Sequence, residues 1–257
     1  MSHIDMRQFM CLEDNYGVII HDSVTGATAS IDAPDADAVE KQLKKYGRQL
    51  THIFTTHHHA DHVQGNLRLK ELFGCKIIGP KAEAAKIPGI DLQVSGGDKF
   101  IWSNREVFVH DCPGHTLGHI AFTIPSEFSL FAGDTLFAVG CGRVIEGTME
   151  QMYKSVNQFK ALSPSVFVYC GHEYTEANIR FALTIEPGNK ALQNRAEFVA
   201  KQRAKGEMTC PSTIADELKT NPYLRCDSPE IRKVLGMEAA TDAEVFAEIR
   251  TRKNNFK

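Results

Sequence analysis

The stretch Thr55-Thr56-His57-His58-His59-Ala60-Asp61-His62 constrains this chain more than any other. Four of its side chains, in the order His-x-His-x-Asp-His, are good metal ligands. It follows the apolar run Thr51-His52-Ile53-Phe54-Thr55, which reads as a short buried strand. It precedes a helical spacing through Leu67, Leu69 and Leu72. The ligands therefore fall in a tight strand-to-helix loop. His57 and His59, two apart in extended backbone, point to the same side. Asp61 and His62 come where the chain turns into the helix and aim at a second point nearby, so two adjacent metals are expected rather than one. A histidine-rich surface loop is the plainer alternative. A structural zinc site is another, but such sites are usually rich in Cys and closed by four protein ligands.

The remaining sequence supplies a frame for such a loop. Its 257 residues make one large or two unequal domains, with enough chain for a sizeable core. Val18-Ile19-Ile20 and Ala27–Asp32 form a hairpin about Ser23-Val24-Thr25-Gly26. Residues 35–46 carry helical spacing at Val39, Leu43 and Tyr46, and Gly47 stops it. Further strands are predicted at 75–79, 106–110, 120–124, 129–132 and 165–169, with a helix at 149–162. Beyond residue 172 the character changes to helices at 176–185 and 190–205. Little periodicity marks 211–225. A last helix opens at the capping box Thr241-Asp242-Ala243-Glu244. The reading is an α+β chain, mainly β first, with a helical C-terminal extension.

Three more donors, His115, Asp134 and His172, each stand just beyond a predicted strand and just after a glycine. With the first four they make five His and two Asp and no thiolate, a set suited to zinc, iron or manganese. The simplest allocation gives one metal His57, His59 and His115, the other Asp61, His62 and His172, with Asp134 bridging. Each shell is then incomplete, which marks a catalytic rather than a structural site.

These residues resemble the metal motif of the metallo-β-lactamase superfamily, and within it the chain is similar to the glyoxalase II (hydroxyacylglutathione hydrolase) family. The matching stretches are Thr56–His62, Gly133-Asp134-Thr135-Leu136-Phe137, Cys141-Gly142-Arg143, Glu146-Gly147-Thr148, Gly171-His172-Glu173-Tyr174-Thr175, Asn221-Pro222-Tyr223-Leu224-Arg225 and Arg250-x-x-Lys253-x-x-Phe256. The resemblance implies an αββα sandwich over residues 1–172, with the metal-binding catalytic site, and a helical substrate-binding domain over 173–257. It implies two divalent ions, zinc foremost, with iron or manganese as substitutes. Arg143, Tyr174, Arg250 and Lys253 would hold the glutathione part. Some members have Tyr where this chain has Ile145, so one hydroxyl contact is missing here. Arg250 and Lys253 also lie i, i+3 on one face of the capped helix; a solvated helix end is the plainer account of them.

The chemistry expected is hydrolysis of S-D-lactoylglutathione and related 2-hydroxyacyl thioesters to glutathione and a hydroxy acid, the second step of methylglyoxal detoxification. No Gly-x-Ser-x-Gly elbow supports a serine triad. Cys141 and Cys170 are expected to pack at strand ends rather than attack. A hydroxide bridging the metals is the expected nucleophile, with Asp61 and Asp134 as the catalytic carboxylates that orient it and hold the pair. A mononuclear-iron persulfide dioxygenase on the same fold is the competing function, and residues 175–257 count against it. A net charge of −3 gives no basic field for nucleic acid, and no run of 18 apolar residues spans a membrane. Seven cysteines without a C-x-x-C pair or an export signal point to reduced thiols in the cytoplasm. A monomer acting on a small-molecule glutathione thioester is expected.

Overall fold

The computed structural model describes residues 4–256. Contacts divide the chain into two compact units: the first runs up to Asp111 and adds Gly118–Gly133, the second takes Cys112–Leu117 and the chain from Asp134 onward.

In the first unit the order is β1 (Ile4–Cys11), β2 (Asn15–Asp22), β3 (Thr28–Ile31), α1 (Ala36–Lys45), β4 (His52–Phe54), α2 (Ala60–Val63), α3 (Asn66–Phe73), β5 (Lys76–Pro80), β6 (Leu92–Val94), β7 (Lys99–Trp102), β8 (Arg105–Asp111), β9 (Ile120–Ile124) and β10 (Ser129–Gly133). Strands β1 to β6 form one sheet in sequence order. The β2–β3 hairpin is antiparallel as its turn residues predict, whereas β3, β4, β5 and β6 run parallel. Parallel neighbours need a crossover, and α1 and α3 supply two of them. These helices pack Val39, Leu43 and Leu69 on Ile53 and Ile77 of the sheet. The opposite side of β4 carries Phe54, whose ring meets Phe100, Trp102 and Phe122 at centroid distances of 5.2, 6.0 and 5.6 Å. Those partners come from the antiparallel run β7–β8–β9, so the two sheets meet face to face over an aromatic core. Such ring pairs contribute roughly 0.5–1.5 kcal/mol each beyond burial.

The structure amends several expectations here. Strand β1 was not anticipated; its burial is uneven and, among the described residues, it pairs at the sheet edge with β2 alone, so no clean alternation marks it. In α3 only Leu69 of the three spaced leucines is buried, while Leu67 and Leu72 are 59% and 50% exposed. Asp61 and His62 lie in α2, a separate single turn, because the chain bends again at Gln64-Gly65 before α3.

The second unit contains β11 (Leu136–Phe137), β12 (Gly140–Cys141), α4 (Met149–Asn157), β13 (Phe167–Cys170), α5 (Thr175–Ile185), α6 (Lys190–Ala204), β14 (Ser212–Thr213), α7 (Ile214–Thr220), α8 (Pro229–Leu235) and α9 (Asp242–Asn255). Both α4 and α9 begin with a reciprocal capping box, Thr148 with Gln151 and Thr241 with Glu244. Each cap is worth about 1 kcal/mol. The aperiodic stretch 211–225 holds β14 and α7, so β13 is not the last strand: Phe167 pairs with Thr213. Asn221, fully buried, binds Phe137 and Gly140 carbonyls through its amide. That anchors the tight β11–β12 turn, which a polar residue far along the chain must satisfy. Tyr223 stacks edge-on against Phe246 of α9 at 5.2 Å.

Candidate metal centre

The first unit brings four of the proposed ligands together at the C-terminal end of β4. His57 Nε2 and His59 Nδ1 face each other at 3.1 Å. His62 Nε2 lies 3.7 Å from Asp61 Oδ2. The other nitrogen of each buried ring is occupied: His57 Nδ1 meets Thr56 Oγ1 at 3.0 Å, and His62 Nδ1 meets Asp32 Oδ2 at 2.7 Å. A ring that donates Nδ1–H outward presents the Nε2 lone pair inward, the orientation a metal ligand needs.

Asp32 is the organiser of this half, and the sequence reading missed it. It is buried, its φ is +55°, and its carboxylate also accepts the Thr56 N–H at 2.7 Å and the Thr56 hydroxyl at 2.9 Å. A left-handed Asp is tolerated where the surroundings over-determine it. Asn15, also buried, donates its amide to Asp61 O at 3.2 Å and to Asp61 Oδ2 at 3.1 Å, which sets that carboxylate's direction. His119 stacks on His57 at 4.7 Å. The signal for Asp32 was a carboxylate ending an apolar strand, too weak alone to single it out.

The second unit brings together the other three. His115 Nε2 and His172 Nε2 each lie 3.4 Å from the same oxygen, Asp134 Oδ2. His115 is oriented by its Nδ1, which donates to the Arg143 carbonyl at 2.8 Å. All three are buried. Glycine is required at the turn into His115: Gly114 has φ +149°, and a Cβ there would meet Met152 Cβ at 2.8 Å. Gly133, the residue before Asp134, has φ +50°.

Donors about 2.0–2.1 Å from a tetrahedral zinc lie about 3.3 Å from one another. The separations of 3.1 Å for His57–His59 and 3.4 Å for both His–Asp134 pairs match that spacing. These His and Asp side chains are of the kind that holds divalent ions. The residues present therefore fit a divalent metal.

The four residues expected to hold substrate also lie in the second unit. Tyr174 stacks on His172 with centroids 4.9 Å apart and planes 1° from parallel, and Phe137 packs edge-on against both rings. Arg143 is exposed beside His115. Arg250 is only 7% exposed; its guanidinium donates to the Cys141 carbonyl at 2.9 Å and to Asn254 Oδ1 at 3.1 Å. Lys253 Nζ donates to the Ala177 carbonyl at 2.9 Å. A solvated helix end does not describe this pair. Burial pushes the Lys253 ammonium down to about 8, helped by the nearby charges of Arg250 and Arg180.

No thiol is poised to attack. All seven cysteines are free and buried. Burial pushes Cys141 up to about 11, and Cys210 stands well above its ordinary value because it shares a hydrogen bond with Cys170 and is buried.

Residues 11–172 match the family model described as Metallo-beta-lactamase superfamily, and residues 173–256 match Hydroxyacylglutathione hydrolase C-terminus. The hydroxyacylglutathione hydrolase of Rhizobium meliloti (strain 1021) is 52% identical over 100% of both chains. Among solved structures, ETHE1 from Myxococcus xanthus superposes with a TM-score of 0.67 at 24% identity, over 98% of this chain and 100% of that one. A di-iron-bound form of TTHA1623 superposes with a TM-score of 0.60 at 19% identity, over 86% and 100%. The last two likenesses fix the fold alone: mixed sheets flanked by helices, with a helical C-terminal region. With both family models matched end to end and a curated relative more than half identical throughout, the chain belongs to the hydroxyacylglutathione hydrolase family of the metallo-beta-lactamase superfamily.

Proposed function

We propose that this chain hydrolyses 2-hydroxyacyl thioesters of glutathione, S-D-lactoylglutathione first among them, to glutathione and the free hydroxy acid. The observation that carries the reading is the full-length match to a hydroxyacylglutathione hydrolase, which includes the 173–256 segment. The same match disfavours the dioxygenase reading, because it extends over the whole helical extension. In this reading residues 1–172 form the catalytic domain and 173–257 the substrate-binding domain, the division at which the two family matches meet.

The ligand assignment is His57, His59 and His115 for one divalent ion and Asp61, His62 and His172 for the other, with Asp134 shared. The pairwise separations within each unit support it, and the di-iron form of TTHA1623 is an example of a paired site on this fold. Zinc is the first choice for an imidazole-carboxylate set without thiolates, with iron and manganese next. The metals would supply a nucleophilic hydroxide near neutral pH and charge to balance the carbonyl oxygen and the departing thiolate.

The protein's own part is orientation. Asp61, held by Asn15, is directed toward its neighbours through one oxygen and keeps the other to align the attacking oxygen. Asp134 turns one carboxylate oxygen toward the Nε2 atoms of both His115 and His172, where a metal would be shared. The Tyr174 ring lies flat on His172 and offers its hydroxyl to the peptide part of the substrate. Arg143, Arg250 and Lys253 answer the glutathione carboxylates; Lys253 Nζ, over the Phe181 and Phe256 rings, otherwise donates to the neutral Ala177 carbonyl. Among the described residues no helix is long and apolar enough to cross a membrane. The proposal takes the protein to act as a cytoplasmic monomer.

The test is thioester hydrolysis by purified protein with its metal content measured in the same sample. Hydrolysis of S-D-lactoylglutathione that disappears on chelation and returns with Zn²⁺ is expected. Oxygen consumption with a glutathione persulfide, and no thioester turnover, would replace this reading with the dioxygenase.

A further inference from the structure

The loop that carries His57 and His59 is held by its backbone, and each tie can be traced. The Thr56 N–H goes to Asp32, and the Thr56 carbonyl accepts the Ile120 N–H at 2.9 Å. On the far side of His57, the His58 N–H goes to Glu83 Oε2 at 2.9 Å. The second oxygen of Glu83 accepts the Gly118 N–H at 2.8 Å. Glu83 is 4% exposed, and His58 Nδ1 lies 2.8 Å from the same Oε2. Gly118 is fitted to it, since a Cβ at that position would meet Glu83 Cγ at 2.6 Å and Ala82 Cβ at 2.8 Å.

A carboxylate this deep is retained only where hydrogen bonds answer it. Here it spans two segments that bear directly on one ligand: the His57–His59 loop, and the turn that continues into His119, whose ring stacks on His57. We propose that Glu83 is a positioning residue for the metal centre. By clamping the His58 N–H to the Gly118 N–H it fixes the separation of the His57 and His59 ring nitrogens, and so sets the affinity of the one metal that those two rings share. Asp61 and His62 do not depend on it: their ties run to Asn15 and Asp32. The inference rests on reading His57 and His59 as ligands of one ion.

Zn²⁺ binding by the full-length protein, measured by competition with a chromophoric chelator, tests it without recourse to activity. Glu83→Ala should weaken one zinc site by about ten- to a hundredfold, the usual consequence of losing an outer-shell partner, and leave the other within about threefold. Glu83→Gln keeps the shape and one acceptor oxygen while its amide group cannot accept the second N–H, so the same site should weaken by less. It serves if the alanine variant does not fold. Glu186→Ala is the comparison for a purely structural carboxylate: Glu186 is equally buried but answers Arg225 and Ser228. Its loss should lower the melting temperature and leave both zinc affinities intact. Wild-type affinity at both sites in Glu83→Gln, or equal weakening of both sites in either Glu83 variant, would overturn the proposal. A wild-type protein that binds a single zinc would refute the paired-metal reading instead, and the loss in the Glu83 variants would then be read on that one ion.

Discussion

The two units carry their candidate metal donors in opposite ways. In the first, His57, His59, Asp61 and His62 fall within six consecutive residues, whereas the candidates of the second, His115, Asp134 and His172, come from three separate turns. The loop depends on outer groups for its shape: Asp32, Glu83 and Asn15 each hold it from elsewhere in the unit. The second set converges on one atom, since the Nε2 atoms of His115 and His172 both face Asp134 Oδ2, while His115 takes its direction from the Arg143 carbonyl. A loop with many ties tolerates the loss of one better than a set that converges on one atom.

That contrast predicts the largest effect at Asp134. Asp134→Asn should cut kcat by more than the about 10–100-fold typical of an outer-shell partner, with the fold intact by circular dichroism. Two tightly bound metals and near-normal turnover in this variant would break the comparison. Asp32→Ala should come next. It removes the acceptor for His62 and for Thr56, so a loss of about 10–100-fold in metal affinity is expected, read by chelator competition. A loss as large as that of Asp134→Asn would mean that the loop is no more redundant than the convergent set.

Away from the metals, Lys253→Ala should raise KM for glutathione thioesters and spare kcat, since the contact is remote from the scissile bond. A charge-assisted bond is worth roughly 1.5–3 kcal/mol, or about ten- to a hundredfold in KM. A small thioester without the peptide should be hydrolysed alike by both proteins. The same residue gives a pH dependence. Burial holds its ammonium down to about 8 against an ordinary 10.5, so a substrate carboxylate would lose this cation as pH rises through that value. KM of the wild type should climb above that pH, and that of Lys253→Ala should not follow. The sign for stability is opposite. Between about 8 and 10.5 the unfolded chain binds more protons at this group, so its contribution to stability improves with rising pH in that window. A KM that is flat from pH 7 to 9 would remove Lys253 from the substrate site.

The smallest effect belongs to the thiols. Cys141→Ser and Cys170→Ser should each keep most of the activity, because neither is placed as a nucleophile and Cys141 is held protonated by burial. Mass spectrometry of protein quenched during turnover should find no acyl group on either residue.

How much of this was readable beforehand follows the same division. The ligand loop, the β2–β3 hairpin and the capping box of α9 are local patterns, and the chain carries local patterns in its spacing. Strand β1 and the β14–α7 stretch escaped because their partners, not their own periodicity, make them regular. The C-terminal cations escaped halfway: Thr241 and Glu244 announce the helix, but the burial of Arg250 against the Cys141 carbonyl joins residues 109 apart.

By itself, then, the order of residues named the candidate donor set and the chemistry it suits, the strand-to-helix segment that presents four of the seven, and the helical nature of the C-terminal part. Only the tertiary structure decided which groups hold those donors. Asp32 reaches Thr56 across 24 positions, Glu83 reaches His58 across 25 and Asn15 reaches Asp61 across 46. A hydrogen bond specifies its partner by distance and angle in space. A buried acceptor takes whichever donor the fold delivers, and no spacing along the chain records that choice.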